Sequence, residues 1–196
     1  MLDTQLKTVE NPSFETGDLS GWTTLGAVTT DATSLGLMPP DGTFQAVLTN
    51  GETSALESDL EGFLGLTTGT LDSLGSGDAT EGAGLFQTIS VEAGETLTFD
   101  WNYLTDESSN SFYNDFAFIT IDGEVISLAD TNSTLTPSEE TEYGLETGYS
   151  TFSYEFTTAG EYAIGVGVVD VADQIVNSAL VVDNFEVLEA PSVIEN

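Results

Sequence analysis

The segment Thr96–Leu104 reads Thr-Leu-Thr-Phe-Asp-Trp-Asn-Tyr-Leu. Leu97, Phe99, Trp101 and Tyr103 occupy alternate positions, with Thr98, Asp100 and Asn102 between them. A period of two sends these sets to opposite faces of an extended chain, which predicts a half-buried β-strand. Ala46–Thr49, Gly84–Val91, Asp115–Ile121, Thr151–Thr157, Glu161–Asp170 and Ser178–Leu188 read the same way. Asp122-Gly123, between Ile121 and Val125, is a hairpin signal. Ala93-Gly94-Glu95 and Ala159-Gly160-Glu161 are similar turns entering strands. One segment departs from the pattern. In Ser54–Leu66 the apolar Leu56, Leu60, Phe63 and Leu64 recur at helical spacing. They predict a short amphipathic helix near 55–66, with Glu57, Asp59 and Glu61 on its wet side. Many strands and one short helix make an all-β chain, an antiparallel two-sheet β-sandwich.

No internal repeat is visible, and 196 residues suit one domain. The expected layout is an N-terminal extension over 1–10, one domain over 11–189 and a C-terminal tail over 190–196.

Charge narrows the function. The chain carries 34 acidic residues and one basic residue, Lys7, with no Arg, His or Cys, for a net charge of -33. Hydrophobic residues make up 39% of it, enough for a core, which argues against disorder. Nucleic acid is excluded as a partner, because its phosphates need Lys and Arg. Arginine phosphate clamps, Ser-His-Asp triads, thiolate nucleophiles, disulfides and His/Cys zinc sites are excluded as well. What remains is oxygen chemistry, which suits hard cations and calcium above all. Bound cations would also relieve the self-repulsion of so acidic a chain. No stretch approaches the roughly 20 apolar residues of a membrane span. Met1–Glu10 has neither the basic start nor the apolar run of a signal peptide, so the sequence does not choose an export route.

The run Asn11-Pro12-Ser13-Phe14-Glu15-Thr16-Gly17-Asp18-Leu19-Ser20-Gly21-Trp22 is specific, and Val181-Val182-Asp183-Asn184-Phe185 balances it near the other end. Together they resemble the opening and closing motifs of jelly-roll carbohydrate-binding modules and galactose-binding-like domains. The resemblance implies a jelly-roll sandwich. It also implies a structural calcium that pins the two ends of the chain, with Glu15 and Asp183 as side-chain ligands and carbonyls such as those of Asn11 or Gly17 completing the shell. Asp183 alternates with Val181 and Phe185, which places all three on one face, where a carboxylate needs a cation.

Gly62-Phe63-Leu64-Gly65-Leu66, Ala79-Thr80-Glu81-Gly82, Phe99–Glu107, Asn114–Phe118, Val168–Asp173 and Ser178–Asn184 follow in order. The set resembles an uncharacterised bacterial extracellular domain of cyanobacterial type, of the kind associated with PEP-CTERM sorting tails. That resemblance implies an extracellular or cell-surface setting and no activity. Glu107, Asn114, Asp115, Asp170 and Asp173 would converge at one edge if their strands are neighbours, giving a possible second calcium site. The Gly-rich stretch Asp72–Glu81 matches neither an EF-hand nor a nonapeptide calcium repeat.

Sugar binding calls for an exposed ring beside amides or carboxylates. Trp101 shares the face of Leu97 and Phe99 and is expected in the core. Tyr143 and Tyr149, in a polar stretch, are expected to be exposed, and Asp100 and Asn102 could line a groove. No carboxylate pair stands in an apolar setting suited to acid catalysis, Asp100 beside Trp101 excepted. Gly165-Val166-Gly167 lies in a strand with no helix after it and is not a nucleotide loop. The sequence therefore points to a non-catalytic, calcium-stabilised extracellular binding module for carbohydrate, with polysaccharide or surface glycan as partner. The rival is an acidic structural or adhesive surface protein without a small ligand, and a carboxylate-pair glycosidase is a distant third.

Overall fold

The computed structural model describes residues 9–74, 77–109 and 112–190. Lys7, most of the extension expected over 1–10, and all but Ala190 of the tail lie outside the described residues.

The strands in chain order are β1 (Thr23–Leu25), β2 (Ala27–Asp31), β3 (Gln45–Thr49), β4 (Ala55–Leu56), β5 (Ala79–Val91), β6 (Thr96–Thr105) and β7 (Phe116–Ile121). They continue with β8 (Glu124–Asp130), β9 (Thr136–Pro137), β10 (Leu145–Glu146), β11 (Ser150–Glu155), β12 (Gly160–Val171) and β13 (Ser178–Leu188). The first sheet has the order β1-β5-β12-β7-β8, with β4 also on β5. The second has the order β2-β3-β13-β6-β10-β9, with β11 also on β6. Every pairing in both sheets is antiparallel. The fold is the expected two-sheet sandwich.

Alternation does the sorting. In β6, Leu97, Phe99 and Tyr103 enter the core between the sheets, and Trp101 packs half-buried against it. They meet Ala83, Leu85 and Ile89 of β5, Ala117, Ile119 and Ile121 of β7, and Ile164, Val166 and Val168 of β12. At the Asp122-Gly123 turn both residues take positive φ, 50° and 80°, as a tight hairpin requires.

The helix α1 (Glu57–Phe63) lies on the outer side of the first sheet, where Leu60 and Leu64 form a second apolar cluster with Phe116, Phe118 and Val169. The glycines of β12 make room for this cluster. A Cβ on Gly165 would stand 2.6 Å from Leu64 Cδ2, and one on Gly167 would stand 2.6 Å from Phe118 Cζ.

Two expectations for this helix are corrected. Leu56 precedes the first turn, in β4, and is exposed rather than on the apolar face. Glu61 is buried rather than wet: its carboxylate accepts from the backbone N–H of Gly69 (2.8 Å) and of Leu71 (2.9 Å), holding the loop that follows the helix.

Candidate functional site

The opening segment folds back on itself through one asparagine. Asn11 Nδ2 donates to the carbonyls of Asp18 (2.9 Å) and Ser20 (3.1 Å), and the Asn11 carbonyl accepts from Trp22 Nε1 (3.2 Å) and Phe14 N–H (3.3 Å). The turn drives Phe14 into an apolar nest with Trp22 and Phe185, and Phe185 stacks on Phe99 at 4.7 Å. Phe185 N–H also donates to the Pro12 carbonyl (3.0 Å), so the opening segment and β13 are joined directly.

Glu15 and Asp183 lie at this junction and reach the same loop. Glu15 Oε1 accepts from the N–H groups of Thr43 (2.6 Å) and Phe44 (2.7 Å), and these bonds hold its pKa below the usual value. Asp183 Oδ2 accepts from Asp41 N–H (3.0 Å) and Oδ1 from Asn184 N–H (2.8 Å). Burial pushes its pKa from 3.8 up to about 7, against those two bonds, and the charges of Asp41 and Glu15 add to the rise. The two predicted side-chain ligands therefore converge, and Asp41 joins them. The signal for Asp41 was the turn sequence Pro39-Pro40-Asp41-Gly42, which marks the loop but not its destination. The two predicted carbonyls have other partners: that of Asn11 as above, and that of Gly17 with Thr30 Oγ1 (3.2 Å).

The face assigned to Asp183 needs correction. Val182 and Phe185 both enter the inter-sheet core, whereas Val181 lies in a separate cluster on the outer side of the second sheet. The pairing of β13 with β6 shifts between Asp183 and Glu186, and Asn184 takes φ 54°. This bulge reverses the alternation, so Asp183 no longer shares a face with Phe185.

A second acidic group closes one end of the sandwich. Asp170 of β12 is paired with Glu81 of β5, and Asp115 stands one step beyond the Val169–Phe116 pair of β12 and β7. By alternation with Ala83, Val168 and Ala117, all three carboxylates enter the space between the sheets. Asp115 is satisfied by Val171 N–H (3.0 Å), Asn50 Nδ2 (3.0 Å) and Ser178 Oγ (2.7 Å). Asp170 is only 1% exposed, and its Oδ2 has no hydrogen-bond partner among the described residues. Burial first, then the charges of Asp115, Asp173, Glu81 and Glu107, push its pKa from 3.8 up to about 8. Glu107 is raised likewise, by burial and then by Asp115 and Asp173. Asn114 does not join them: it donates to Asp130 Oδ2 (3.1 Å) and accepts from Thr131 Oγ1 and Asn132 Nδ2 (both 2.7 Å). Glu81 was read as the end of the separate Gly-rich stretch Asp72–Glu81 rather than as part of this group, because that run reads as a loop, whereas β5 begins at Ala79.

Of the residues expected to bind a sugar on the outer side of the second sheet, Asp100, Asn102 and Tyr149 do not line the cleft found there, and Asn102 is fully buried. Asn102 is buried under the β10 turn, bonded to Glu146 Oε2 (2.7 Å) and Thr147 Oγ1 (3.0 Å). Asp100 accepts from Thr151 Oγ1 (2.5 Å) and Asn184 Nδ2 (3.1 Å). Tyr149 is half-buried, and its O–H donates to Gln45 Oε1, while the buried Gln45 Nε2 has no partner among the described residues. Tyr143, expected to be exposed, is 7% exposed because it packs with Leu37, Val47 and Leu104. Its edge lines a cleft of about 350 Å³ with Thr29, Ser34, Leu35, Val47, Thr49 and Glu142.

Neither a family model nor a curated protein sequence matches the chain. Solved structures do. The carbohydrate-binding module TmCBM61, in complex with beta-1,4-galactotriose, superposes with a TM-score of 0.51 at 15% identity, covering 93% of this chain and 98% of that one. A carbohydrate-binding module of the beta-sandwich superfamily gives 0.47 at 14% identity over 95% of this chain and 64% of its own. The K1 cleaved adhesin domain of Lys-gingipain from Porphyromonas gingivalis W83 gives 0.45 at 13% identity, over 92% and 96%. The likeness to TmCBM61 is one of fold. Among the described residues no helix is long and apolar enough to cross a membrane.

Proposed function

We propose that this chain is a non-catalytic, extracellular carbohydrate-binding module whose two ends are clasped by calcium. The observation that carries the binding role is the cleft on the outer side of the second sheet. It sets the hydroxyls of Thr29, Ser34 and Thr49 and the carboxylate of Glu142 against the apolar edges of Leu35, Val47 and Tyr143. Sugars present that mixture of hydroxyl rims and apolar ring faces. The fold shared with a module that holds beta-1,4-galactotriose supports the reading. The clasp ion would lie between Glu15 and Asp183, which reach one loop through its N–H groups, with the charge of Asp41 nearby. No three Asp or Glu side chains among the described residues form a ready-made cage, so backbone oxygens and water would complete the shell. Calcium supplies a positive charge there and accepts oxygen ligands in flexible number.

A glycan array and calorimetric titration with beta-1,4-galactotriose, each run with calcium and with chelator, test the proposal. Glu142→Gln and Thr49→Ala should each weaken binding to any glycan found at least tenfold. A protein that binds no glycan, or variants that bind as the parent does, would overturn it. One observation favours the rival, an acidic adhesive or structural surface protein. Among the described residues the one highly exposed aromatic side chain is Phe112, 64% exposed, and it does not line this cleft. A blank array together with calcium-dependent self-association would establish that rival.

A further inference from the structure

We propose that the acidic end of the sandwich is a second calcium site, separate from the clasp, anchored on Asp170. Three adjacent strands of one sheet place Glu81, Asp170 and Asp115 side by side on the same inward face. Directly opposed like charges are destabilising on a sheet even when they face water. These face inward, with Glu107 also buried beside them. Asp115 has three donors of its own, so its charge is accounted for. Asp170 is not: it is 1% exposed, and Oδ2 meets no donor among the described residues. A buried carboxylate oxygen without a partner is unfavourable, and with a carboxylate neighbour on each side a cation is the partner that suits it.

The donor set is all oxygen, which selects a hard cation. Among the described residues no three Asp or Glu side chains form a ready-made cage. The ion is therefore held by Asp170 with one flanking carboxylate, and water and backbone oxygens complete its shell. Glu81 is reached from solvent. A polar cleft of about 390 Å³, lined by Glu52, Thr53, Gln174 and Asn177, has Glu81 in its wall.

Equilibrium dialysis with radioactive calcium on the full chain decides the matter, using the parent, Asp170→Asn, Glu81→Gln and Asp183→Asn. Asp170→Asn keeps the size of the side chain and removes its charge. It should bind one ion fewer than the parent, and Glu81→Gln should weaken that same ion at least tenfold. Asp183→Asn, which belongs to the clasp, should leave the ion in place. Should Asp170→Asn fail to fold, the pair Glu81→Gln and Asp183→Asn carries the test. An unchanged stoichiometry in Asp170→Asn overturns the proposal, as does an affinity unchanged in Glu81→Gln. So does a parent whose bound calcium is lost entirely in Asp183→Asn. The last result would leave the clasp standing while removing this site, so the two readings fail separately.

Discussion

Phe185→Ala measures how firmly the two ends of the chain are joined. The ring is 2% exposed and meets three others: Trp22 at 4.8 Å, Phe14 edge-on at 6.3 Å and Phe99 stacked at 4.7 Å. Truncating a buried Phe to Ala costs about 3–5 kcal/mol. Each well-placed aromatic pair adds about 0.5–1.5 kcal/mol beyond burial, and the three pairs here put the expected loss at the upper end, about 5 kcal/mol. In a domain of this size 1 kcal/mol moves Tm by roughly 2–4 °C, so Tm should fall by roughly 10–20 °C. Urea denaturation followed by Trp fluorescence reports on it, since Trp22 is part of the nest. Leu188→Ala, three residues on and 47% exposed, should change stability by about 1 kcal/mol or less. Because the nest is apolar, the Phe185→Ala loss should persist in saturating calcium. A loss below about 2 kcal/mol, or one that calcium repairs, would show that the junction is not made by this packing.

Three further outcomes follow from other parts of the molecule. The parent should melt higher in millimolar calcium than in chelator. A hundredfold excess over Kd adds about 2.7 kcal/mol, and Glu15→Gln and Asp183→Ala should each remove the rise at the clasp, with no further loss in the double variant; differential scanning calorimetry reads this. In chelator, stability should fall as pH rises from about 4 to about 8. Asp183 and Asp170 hold their protons more tightly folded (about 7 and about 8) than unfolded (3.8), so the native state binds more protons across that window. A Tm unchanged over this range would refute the burial of these charges. Gly82→Ala should destabilise by about 2 kcal/mol or more, because its Cβ would stand 2.2 Å from the Val168 carbonyl oxygen, which has no room to yield. Gly62→Ala, on the helix with nothing within 4 Å, should stabilise by about 0.5–1 kcal/mol. Thermal melts of the two variants check both signs.

The strands were legible wherever one face is buried, because alternation is then written directly in residue type. Ser178–Leu188 and Thr96–Leu104 show this, the first with its bounds unchanged and the second lengthened by one residue. Local reading failed where a single residue breaks the period. The bulge at Asn184 turned Phe185 inward and Asp183 outward, and nothing in Asp183-Asn184-Phe185 alone announces it. Glu61 was assigned to solvent because its helical position is polar. Its use lies in the loop ten residues on, which only the folded chain brings near. The side-chain pair Glu15 and Asp183 was placed by the resemblance of two motifs, and the folded chain brings both to the loop of Asp41, Thr43 and Phe44. Asp41 and Glu81 needed the sheet order, since the first lies in a loop and the second follows a run that reads as one. The burial of Tyr143 depends on Leu37 from a distant loop, a contact that composition does not encode.

Among the described residues the hairpin strand β8 ends the first sheet, with no strand paired to its outer edge. Such an edge invites a neighbouring molecule to add a strand, and many proteins deter this with lysine, proline or a cap. Here β8 runs from Glu124 to Asp130, on a chain of net charge -33, so like charge keeps copies apart. That barrier depends on the medium. Acid, which neutralises carboxylates, or a divalent-rich medium, which screens and bridges them, lowers it without disturbing the fold. Copies of the chain should therefore associate more readily in acid or in a divalent-rich medium than in a neutral, low-salt one, and light scattering would follow the crossover.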